Sequence, residues 1–367
     1  MRVGVVIQGP VNSRGFDAVA NVRRIADSYS ALPACGPLVL STWEGEDAPL
    51  RHPGLTVLLN RPVERDDAMN RLRQWRSTYE GIKFLRANTE VTHILKLRTD
   101  MYVAPEIIDF MVDFYARAAG PEGRMRRVCE GCLLGSHVHR GVPFGVGDFY
   151  FAGRAGDMER LFGDALSFGG LRFQDNAEAD IWARHLARAL AGDLPPWWRL
   201  IGPWWPPRVT PDDPIFGLWL EVYRECVAPF PRKFLEGAAW RGKPFVEGMD
   251  ERATFGRGRE VLREYFDFHE EWLRMRNDQC GYLAMRRETF PFGLRASYWV
   301  LNRQRAAVRF ALWGWAGSRA GLGWLWGVAR APLRGMVAGA RAWARRGYRA
   351  RFGAAPDGDM GGRGHGI

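Results

Sequence analysis

The stretch that decides the fold is HILKLRTDMYV, residues His93–Val103. It begins as a run of isoleucine and leucine around one lysine, which is typical of a buried strand, and it ends at the charged triplet Arg98-Thr99-Asp100. Ala104-Pro105 follows, and a proline does not continue a central strand. The triplet is either a solvated strand end or a functional strand tip, and the rest of the chain favours the second interpretation.

The sequence before this stretch alternates strands with helices. Short apolar runs predict strands over Arg2–Pro10, Gly36–Asp47 and Leu55–Asn60. A helix is predicted across Asp17–Tyr29, and a strongly amphipathic one across Asp66–Ala87. Strands that alternate with helices predict an α/β fold, here a Rossmann-like domain with a mainly parallel central sheet.

Each predicted strand ends in residues that carry chemistry. The carboxyl ends of parallel strands share one edge of the sheet, where ligands collect near the point of strand-order reversal. The tips are Gln8-Gly9-Pro10, Ser41–Glu44, Asn60 and Arg98-Thr99-Asp100. No G-x-G-x-x-G motif follows the first strand and no P-loop motif occurs, which disfavours a dinucleotide cofactor and P-loop chemistry.

The net charge of +11 belongs to the end of the chain. Of the 367 residues, 47% are hydrophobic, so the chain can bury a full core. Residues 295–367 contain 13 arginines, no lysine and two aspartates, which accounts for the whole excess of positive charge. We therefore predict a domain over residues 1–290, basic amphipathic helices over 291–352 and a disordered tail over 353–367.

The basic segment interleaves arginines with six tryptophans between residues 295 and 352. Helices of this composition bind the headgroup region of anionic membranes. The segment contains no uncharged run of 18 apolar residues, so a membrane-spanning helix is not predicted. Single-stranded nucleic acid is the alternative partner, but the neutral remainder of the chain offers no basic groove. Five cysteines and a short apolar N-terminus predict a reducing cytoplasm, hence a peripheral protein on the inner face of the cell membrane.

Five segments occur in the order and spacing of one family. They are VVIQGPV, LSTWEGE, NRLRQWRSTYEGI, LKLRTDMYV and GDFYFAG. Together they resemble the WavE family of lipopolysaccharide-synthesis proteins over roughly residues 3–280, a far more specific signal than any single motif. The resemblance implies a GT-A-like glycosyltransferase that moves a sugar from a nucleotide-sugar donor to a lipopolysaccharide-core or other surface-polysaccharide acceptor.

The resemblance also implies how the donor is bound. Asp100 stands where these enzymes hold a divalent metal, Mg²⁺ or Mn²⁺, on the donor diphosphate. Arg98 replaces the first acid of the usual Asp-x-Asp triplet, so it either grips the diphosphate directly or pairs with Asp100. Asn70 and Arg71 begin the helix that faces the donor, although Arg71 could equally be part of a solvated helix face.

The strand tips supply the other predicted donor contacts. Gln8, Gly9 and Pro10 fit a loop that lets the backbone approach a nucleobase, and otherwise they form only a turn. Thr42 and Glu44 are weaker candidates for the ribose or the base.

Two acidic segments are candidates for catalysis. Asp148, in the segment Val142–Gly153, would face the donor sugar and acceptor, and a capping role is its alternative. Glu178 and Asp180 lie near a predicted helix start, where a carboxylate caps the dipole whatever the function. Glu178 is the preferred general base for an inverting transfer.

Three alternatives remain open at this stage. A zinc site formed by Cys129, Cys132, His137 and His139 is possible but has poor spacing. The aromatic segment Pro195–Pro207 could bind sugar or lipid, or could be a rigid linker. The missing first acid also fits a catalytically inactive nucleotide-sugar-binding or glycan-binding protein of the same fold.

Overall fold

The computed structural model describes residues 1–13, 15–46, 51–63, 70–139, 144–168, 177–194, 214–250 and 266–279. The chain divides into two compact units, residues 1–288 and 289–367, of which the second lies wholly outside the described residues. The predicted boundaries at 290 and 352, the membrane helices and the aromatic segment Pro195–Pro207 therefore stay predictions.

Among the described residues of the first unit, seven strands form a central sheet. They are β1 (Val3–Gln8), β4 (Cys35–Trp43), β5 (Leu55–Asn60), β6 (His93–Arg98), β8 (Leu133–Gly135), β10 (Phe151–Arg154) and β11 (Val227–Pro229). Their order across the sheet is β11-β8-β10-β6-β1-β4-β5. β1 is buried along its whole length, as expected for an interior strand with a continuous apolar sequence. The predicted α/β fold with a mainly parallel sheet is confirmed.

The register brings the predicted strand tips to one edge. Gln8 at the end of β1 lies opposite Ser41 of β4 on one side and Arg98 of β6 on the other. In the next pair, Trp43 of β4 lies opposite Asn60 of β5. All four strands are parallel, so their carboxyl ends form the continuous edge that the sequence predicts.

Three strands of the sheet, β8, β10 and β11, were not predicted, and β10 extends the same edge. β10 runs antiparallel to β6 on one side and to β8 on the other. Its first residue, Phe151, lies opposite Lys96 of β6 and Gly135 at the end of β8. The residues just before β10 and just after β8 are therefore carried to the edge where β6 ends.

Helices connect the strands and pack against the sheet. They are α1 (Ala18–Ser30), α2 (Arg71–Asn88), α3 (Ile107–Arg117), α4 (Ala155–Ser167), α5 (Ala177–Ala189), α6 (Pro214–Glu225), α7 (Arg232–Glu236), α8 (Phe245–Asp250) and α9 (His269–Asn277). α2 packs closely on the sheet at Gly81, where any larger side chain would clash with Val6 of β1. The helix predicted over Asp66–Ala87 begins at Arg71 in the described part.

Short strands complete the edge. β7 (Met101–Tyr102) pairs with β12 (Ala239–Trp240), which turns back into β13 (Lys243–Pro244). β9 (Val138–His139) pairs with β14 (Phe266–Asp267), and β2 (Asn12–Ser13) pairs with β3 (Phe16–Asp17). The first two pairs bring residues from the last third of the described chain beside the tips of β6 and β8.

Candidate active site

Asp100 holds two guanidinium groups at the tip of β6. Arg98 donates from Nε and Nη2 to the two carboxylate oxygens at 2.8 and 3.0 Å. Trp240 Nε1 and Arg241 Nε donate to Oδ2 at 3.1 and 3.4 Å. The β7–β12 pairing fixes this arrangement, because the backbone N–H of Arg241 also donates to the carbonyl of Asp100 at 2.8 Å.

These contacts change the electrostatics of Asp100. Burial alone would raise the pKa of the carboxyl, but Arg98, Trp240 and Arg241 together lower it to about 2. Asp100 is therefore ionised at neutral pH, and its charge is matched by two arginines.

The atoms around Asp100 do not form a ligand set for Mg²⁺ or Mn²⁺. Both carboxylate oxygens already accept hydrogen bonds from cationic or indole N–H groups, and a divalent ion there would stand against Arg98 and Arg241. The arrangement matches the alternative stated for Arg98, an ion pair with Asp100.

A buried lysine lies beside this pair. Lys96, in the middle of β6, is fully buried, donates to the backbone carbonyl of Asp148 and has Nζ 3.7 Å from the carboxylate Oδ2 of Asp148. Gln74 of α2 donates to the same carboxylate oxygen. Burial lowers the pKa of Lys96 to about 8, and the attraction of Asp148 opposes that shift. Asp148 thus lies beside β6 at the carboxyl edge of the sheet, as predicted for a residue that faces the substrates.

Glu178 contacts a pair of histidines. His139 Nε2 is 2.9 Å from Glu178 Oε2 and 3.3 Å from His137 Nε2. Both histidines follow β8, and Glu178 lies in the first turn of α5. Burial, followed by the charge of His139, holds the pKa of His137 well below its usual value, so His137 is neutral. The backbone N–H of Gly147, next to Asp148, donates to the carbonyl of His137 at 2.8 Å, and the guanidinium of Arg98 lies 5.8 Å from the ring centroid of Phe149, so the segment around Asp148 links the histidines to Arg98.

Asp180 and Arg71 have structural partners instead. Arg71 Nη1 donates to the fully buried Asp180 Oδ2 at 3.0 Å, and Arg184 Nε donates to the same oxygen at 3.1 Å. This ion pair fastens the start of α2 to α5. Arg71 is therefore neither a solvated side chain nor placed to bind the donor, and Asp180 is not an accessible base.

The tip of β1 is shaped by a glycine. Gly9 has φ +127, and a Cβ at this position would lie 2.7 Å from Thr99 Oγ1. Thr99 in turn donates to the carbonyl of Pro10 at 2.8 Å, which ties the loop to the charged triplet. Gln8 is buried and accepts a hydrogen bond from Ser77 of α2 at 3.2 Å, while Pro10 is exposed.

The tip of β4 uses a different acid from the one predicted. Thr42 Oγ1 donates to Glu46 Oε2 at 3.0 Å, and Val11 N donates to the same oxygen at 2.7 Å. Glu44 is exposed, and its backbone N–H donates to the carbonyl of Asn60 at 2.9 Å. Asn70, at the start of α2, is exposed and has a left-handed backbone without a side-chain cap.

The cysteines of the proposed zinc motif lie apart from its histidines. Cys129 and Cys132 are buried free thiols whose Sγ atoms point to the carbonyls of Cys226 and Leu133. Within the described ranges, the one group of three or more potential ligands joins His137, His139 and Glu178 without either cysteine. A zinc site formed by the two cysteines together with the two histidines is therefore wrong.

Five residues of the site were not singled out from the sequence. They are Glu46, Gln74, Lys96, Trp240 and Arg241. A lysine inside an apolar strand is a signal for Lys96, because a buried charge needs a partner. Trp240 and Arg241 meet Asp100 across about 140 residues of sequence, and no local pattern predicts that contact.

Comparison with known proteins bears on the first half of the chain. Residues 3–178 match the sequence model of the family described as WavE lipopolysaccharide synthesis. The predicted WavE resemblance is confirmed over this segment. The WavE-like segment contains the strand tips Gln8, Asn60 and Asp100 and ends at Glu178.

Searches among curated proteins and among solved structures gave the following results. Among curated proteins the chain has no match. Among solved structures it is similar to one described as the crystal structure of a glycosyltransferase involved in the glycosylation of the major capsid of PBCV-1. That similarity has 8% identity and a TM-score of 0.28, and it covers 46% of this chain and 69% of the other.

A search for membrane-spanning helices covers the described ranges only. No helix there is both long and apolar enough to cross a bilayer.

Proposed function

We propose that this protein is a glycosyltransferase of GT-A type that binds a nucleotide-sugar donor at the carboxyl edge of the sheet. The observation that carries the proposal is that Arg98 and Arg241, joined through Asp100, lie at the same edge of the sheet as Asp148 and Glu178, and that the four parallel strands of this edge belong to the WavE-like segment. Guanidinium groups can bind the oxygens of a diphosphate, and a nearby carboxylate can accept the proton of an acceptor hydroxyl.

Arg98 is the proposed contact to the diphosphate. Two of its five N–H groups donate to Asp100, which orients the guanidinium and leaves the other donors for phosphate oxygens. Arg241 is held beside it by the same carboxylate, and its side chain is about half exposed. Asp100 is thus a positioning residue, and the two arginines supply positive charge to the departing diphosphate.

The base and ribose are proposed to bind at the tips of β1 and β4. The turn at Gly9, the buried amide of Gln8 and the side chains of Thr42 and Glu46 surround the end of the sheet there. Backbone at a glycine can approach a planar ring closely, and carboxylates accept hydrogen bonds from ribose hydroxyls.

Glu178 is the proposed general base for the acceptor hydroxyl. Its oxygen lies 2.9 Å from His139 Nε2, so an imidazole N–H orients the carboxylate. Asp148, held by Gln74 and Lys96, is the second carboxylate and is proposed to contact hydroxyls of the transferred sugar.

The acceptor is proposed to be a lipopolysaccharide core or another surface polysaccharide, reached from the cytoplasmic face of the membrane. The family match and the arginine and tryptophan pattern of residues 295–352 support this. The segment would hold the enzyme on anionic lipid next to a lipid-linked acceptor.

Binding and turnover test the proposal. Full-length protein is titrated with uridine, guanosine, cytidine and adenosine diphosphates, with EDTA and with Mn²⁺, and the corresponding nucleotide sugars are then assayed for hydrolysis and transfer. We expect at least one diphosphate to bind in EDTA, and its sugar to be hydrolysed slowly. Binding without hydrolysis or transfer would instead favour an inactive sugar-nucleotide-binding protein, and absence of binding would reject the proposal.

A further inference from the structure

His137, His139 and Glu178 bring three ligand atoms to one point. The Nε2 atoms of the two histidines are 3.3 Å apart, and His139 Nε2 is 2.9 Å from Glu178 Oε2. All three atoms lie within 4.8 Å of one another. His137 is fully buried, whereas His139 and Glu178 are partly exposed, so the cluster opens toward solvent on one side.

The two short distances in the cluster suit one ion of zinc size. With metal–nitrogen bonds of about 2.05 Å, two ligand atoms lie about 2.9 Å apart at a right angle, about 3.3 Å apart at the tetrahedral angle and at most about 4.1 Å apart. The His137–His139 and His139–Glu178 distances of 3.3 and 2.9 Å fall in this range. The three atoms span up to 4.8 Å, so the outer two must approach each other by roughly 1 Å when one ion binds all three.

The ring of His137 is placed to offer Nε2 to an ion. Ser136 Oγ lies 3.1 Å from its Nδ1, and His139 Nε2 lies 3.3 Å from its Nε2. With the ring proton on Nδ1, beside Ser136, the lone pair of Nε2 faces the other ligands, as an imidazole ligand requires.

The ligands are held in place before any ion binds. Ser136 and His137 are locked by backbone hydrogen bonds to Gly147, where an added methyl group would clash with the imidazole of His137. Phe266 packs against both imidazole rings, with centroids 3.9 and 4.9 Å away. Glu178 lies on a helix fastened by the buried Arg71–Asp180 ion pair. Support of this kind lowers the cost of assembling a metal site.

We propose that His137, His139 and Glu178 form a binding site for a divalent transition metal of the zinc class. Two imidazoles and one carboxylate favour Zn²⁺, Fe²⁺ or Co²⁺ over Mg²⁺ and Ca²⁺, which prefer oxygen ligands alone. Three protein ligands leave a coordination position for water or for a substrate oxygen. The site uses none of the residues at Asp100 and is separate from the metal predicted on the diphosphate.

Zinc binding tests the site directly. EDTA-treated, dialysed full-length protein is titrated with Zn²⁺ in competition with a chromophoric chelator. We expect a site that weakens by at least about 100-fold in His139→Ala and in Glu178→Gln, because loss of a direct ligand should exceed the 10- to 100-fold cost of losing a supporting residue. Co²⁺ should give a visible absorption spectrum that both variants lose.

His52→Ala is the matched control. His52 Nε2 lies 3.0 Å from Asp27 Oδ1, so the pair has the same contact as His139 and Glu178 but is not part of a three-ligand group. This variant should bind Zn²⁺ like the wild type. Circular dichroism verifies that His139→Ala and Glu178→Gln, both at partly exposed positions, remain folded.

The outcomes separate this proposal from the proposed transferase activity, since the titration contains no nucleotide. If Zn²⁺ affinity in both variants equals that of the wild type, the site is rejected whatever the protein catalyses. If zinc binds as expected and no nucleotide sugar is used, the site stands and the transferase proposal fails. In a transferase, metal binding would take Glu178 out of the general-base role given to it above, and that role would pass to Asp148.

Discussion

Replacement of Asp100 by asparagine should destabilise the protein in a pH-dependent way. The pKa of Asp100 is lowered from 3.8 to about 2, so the folded state holds the ionised carboxylate more favourably by roughly two pKa units. At about 1.36 kcal/mol per unit, this contributes about 2–3 kcal/mol to the free energy of unfolding at pH 7. Asp100→Asn removes that charge and turns an amide N–H₂ toward Arg98 or Trp240.

The pH window follows from the direction of the shift. Because the folded pKa is depressed, the contribution is complete above the unfolded pKa near 3.8 and is lost as the pH falls toward 2. Urea unfolding of wild type and Asp100→Asn at pH 7, 5, 4 and 3 should show a difference of about 2–3 kcal/mol that falls to about half at pH 3.

Asp27→Asn is the control for this experiment. Asp27 also pairs with a basic side chain, His52, but it is largely exposed, so its loss should change the stability little at any pH. A cost for Asp100→Asn that equals the Asp27→Asn cost, or that stays constant from pH 7 to pH 3, would refute the ion-pair arrangement at Asp100.

Three further predictions concern other parts of the chain. Lys96 has a pKa of about 8 in the folded state against 10.5 in the unfolded state, so the unfolded chain binds more protons between these pH values. The free energy of unfolding should therefore rise by about 3 kcal/mol from pH 8 to 10.5. Lys96→Met should flatten this rise in urea unfolding, and an unchanged rise would show that another group causes it. Gly9→Ala should cost about 1–3 kcal/mol and weaken nucleotide binding, because φ is +127 and the methyl group meets Thr99 Oγ1; a melting temperature and affinity equal to those of the wild type would contradict the role given to this turn. Deletion of residues 295–367 should keep the fold and nucleotide affinity and abolish sedimentation with anionic vesicles, whereas unfolding of the truncated chain would place the segment in the core.

The parallel half of the sheet was predictable because each of its four strands has a local signal in the sequence. The apolar runs at β1, β4, β5 and β6 are short and bounded by polar residues, and the intervening helices have clear periodicity. The rule that parallel strands share a carboxyl edge then places Gln8, Asn60 and Asp100 together without further information.

The partners at that edge were less predictable. Asp100 was expected to bind metal, and its contacts with Trp240 and Arg241 depend on a short strand pair between distant segments. Arg71 looked like an anion-binding residue at a helix start, and its partner Asp180 lies 109 residues away. Sequence spacing does not encode such long-range pairing, so residue types were predicted better than their roles.

The histidine cluster shows the same limit. His137 and His139 drew attention beside Cys129 and Cys132 because the four are close in sequence, yet the thiols face the core. The actual neighbour, Glu178, comes from a helix about 40 residues further along the chain. It was proposed as a base for a different reason.

The central claim is that Arg98 binds the diphosphate of a nucleotide-sugar donor. Isothermal titration of the tightest-binding nucleoside diphosphate, in EDTA, compares wild type with Arg98→Gln and with Arg76→Gln, an exposed arginine on α2 that pairs with Glu80. The account predicts at least about 10-fold weaker binding for Arg98→Gln, since a charged hydrogen bond contributes about 1.5–3 kcal/mol, and no change for Arg76→Gln. Equal affinities in all three proteins would contradict it.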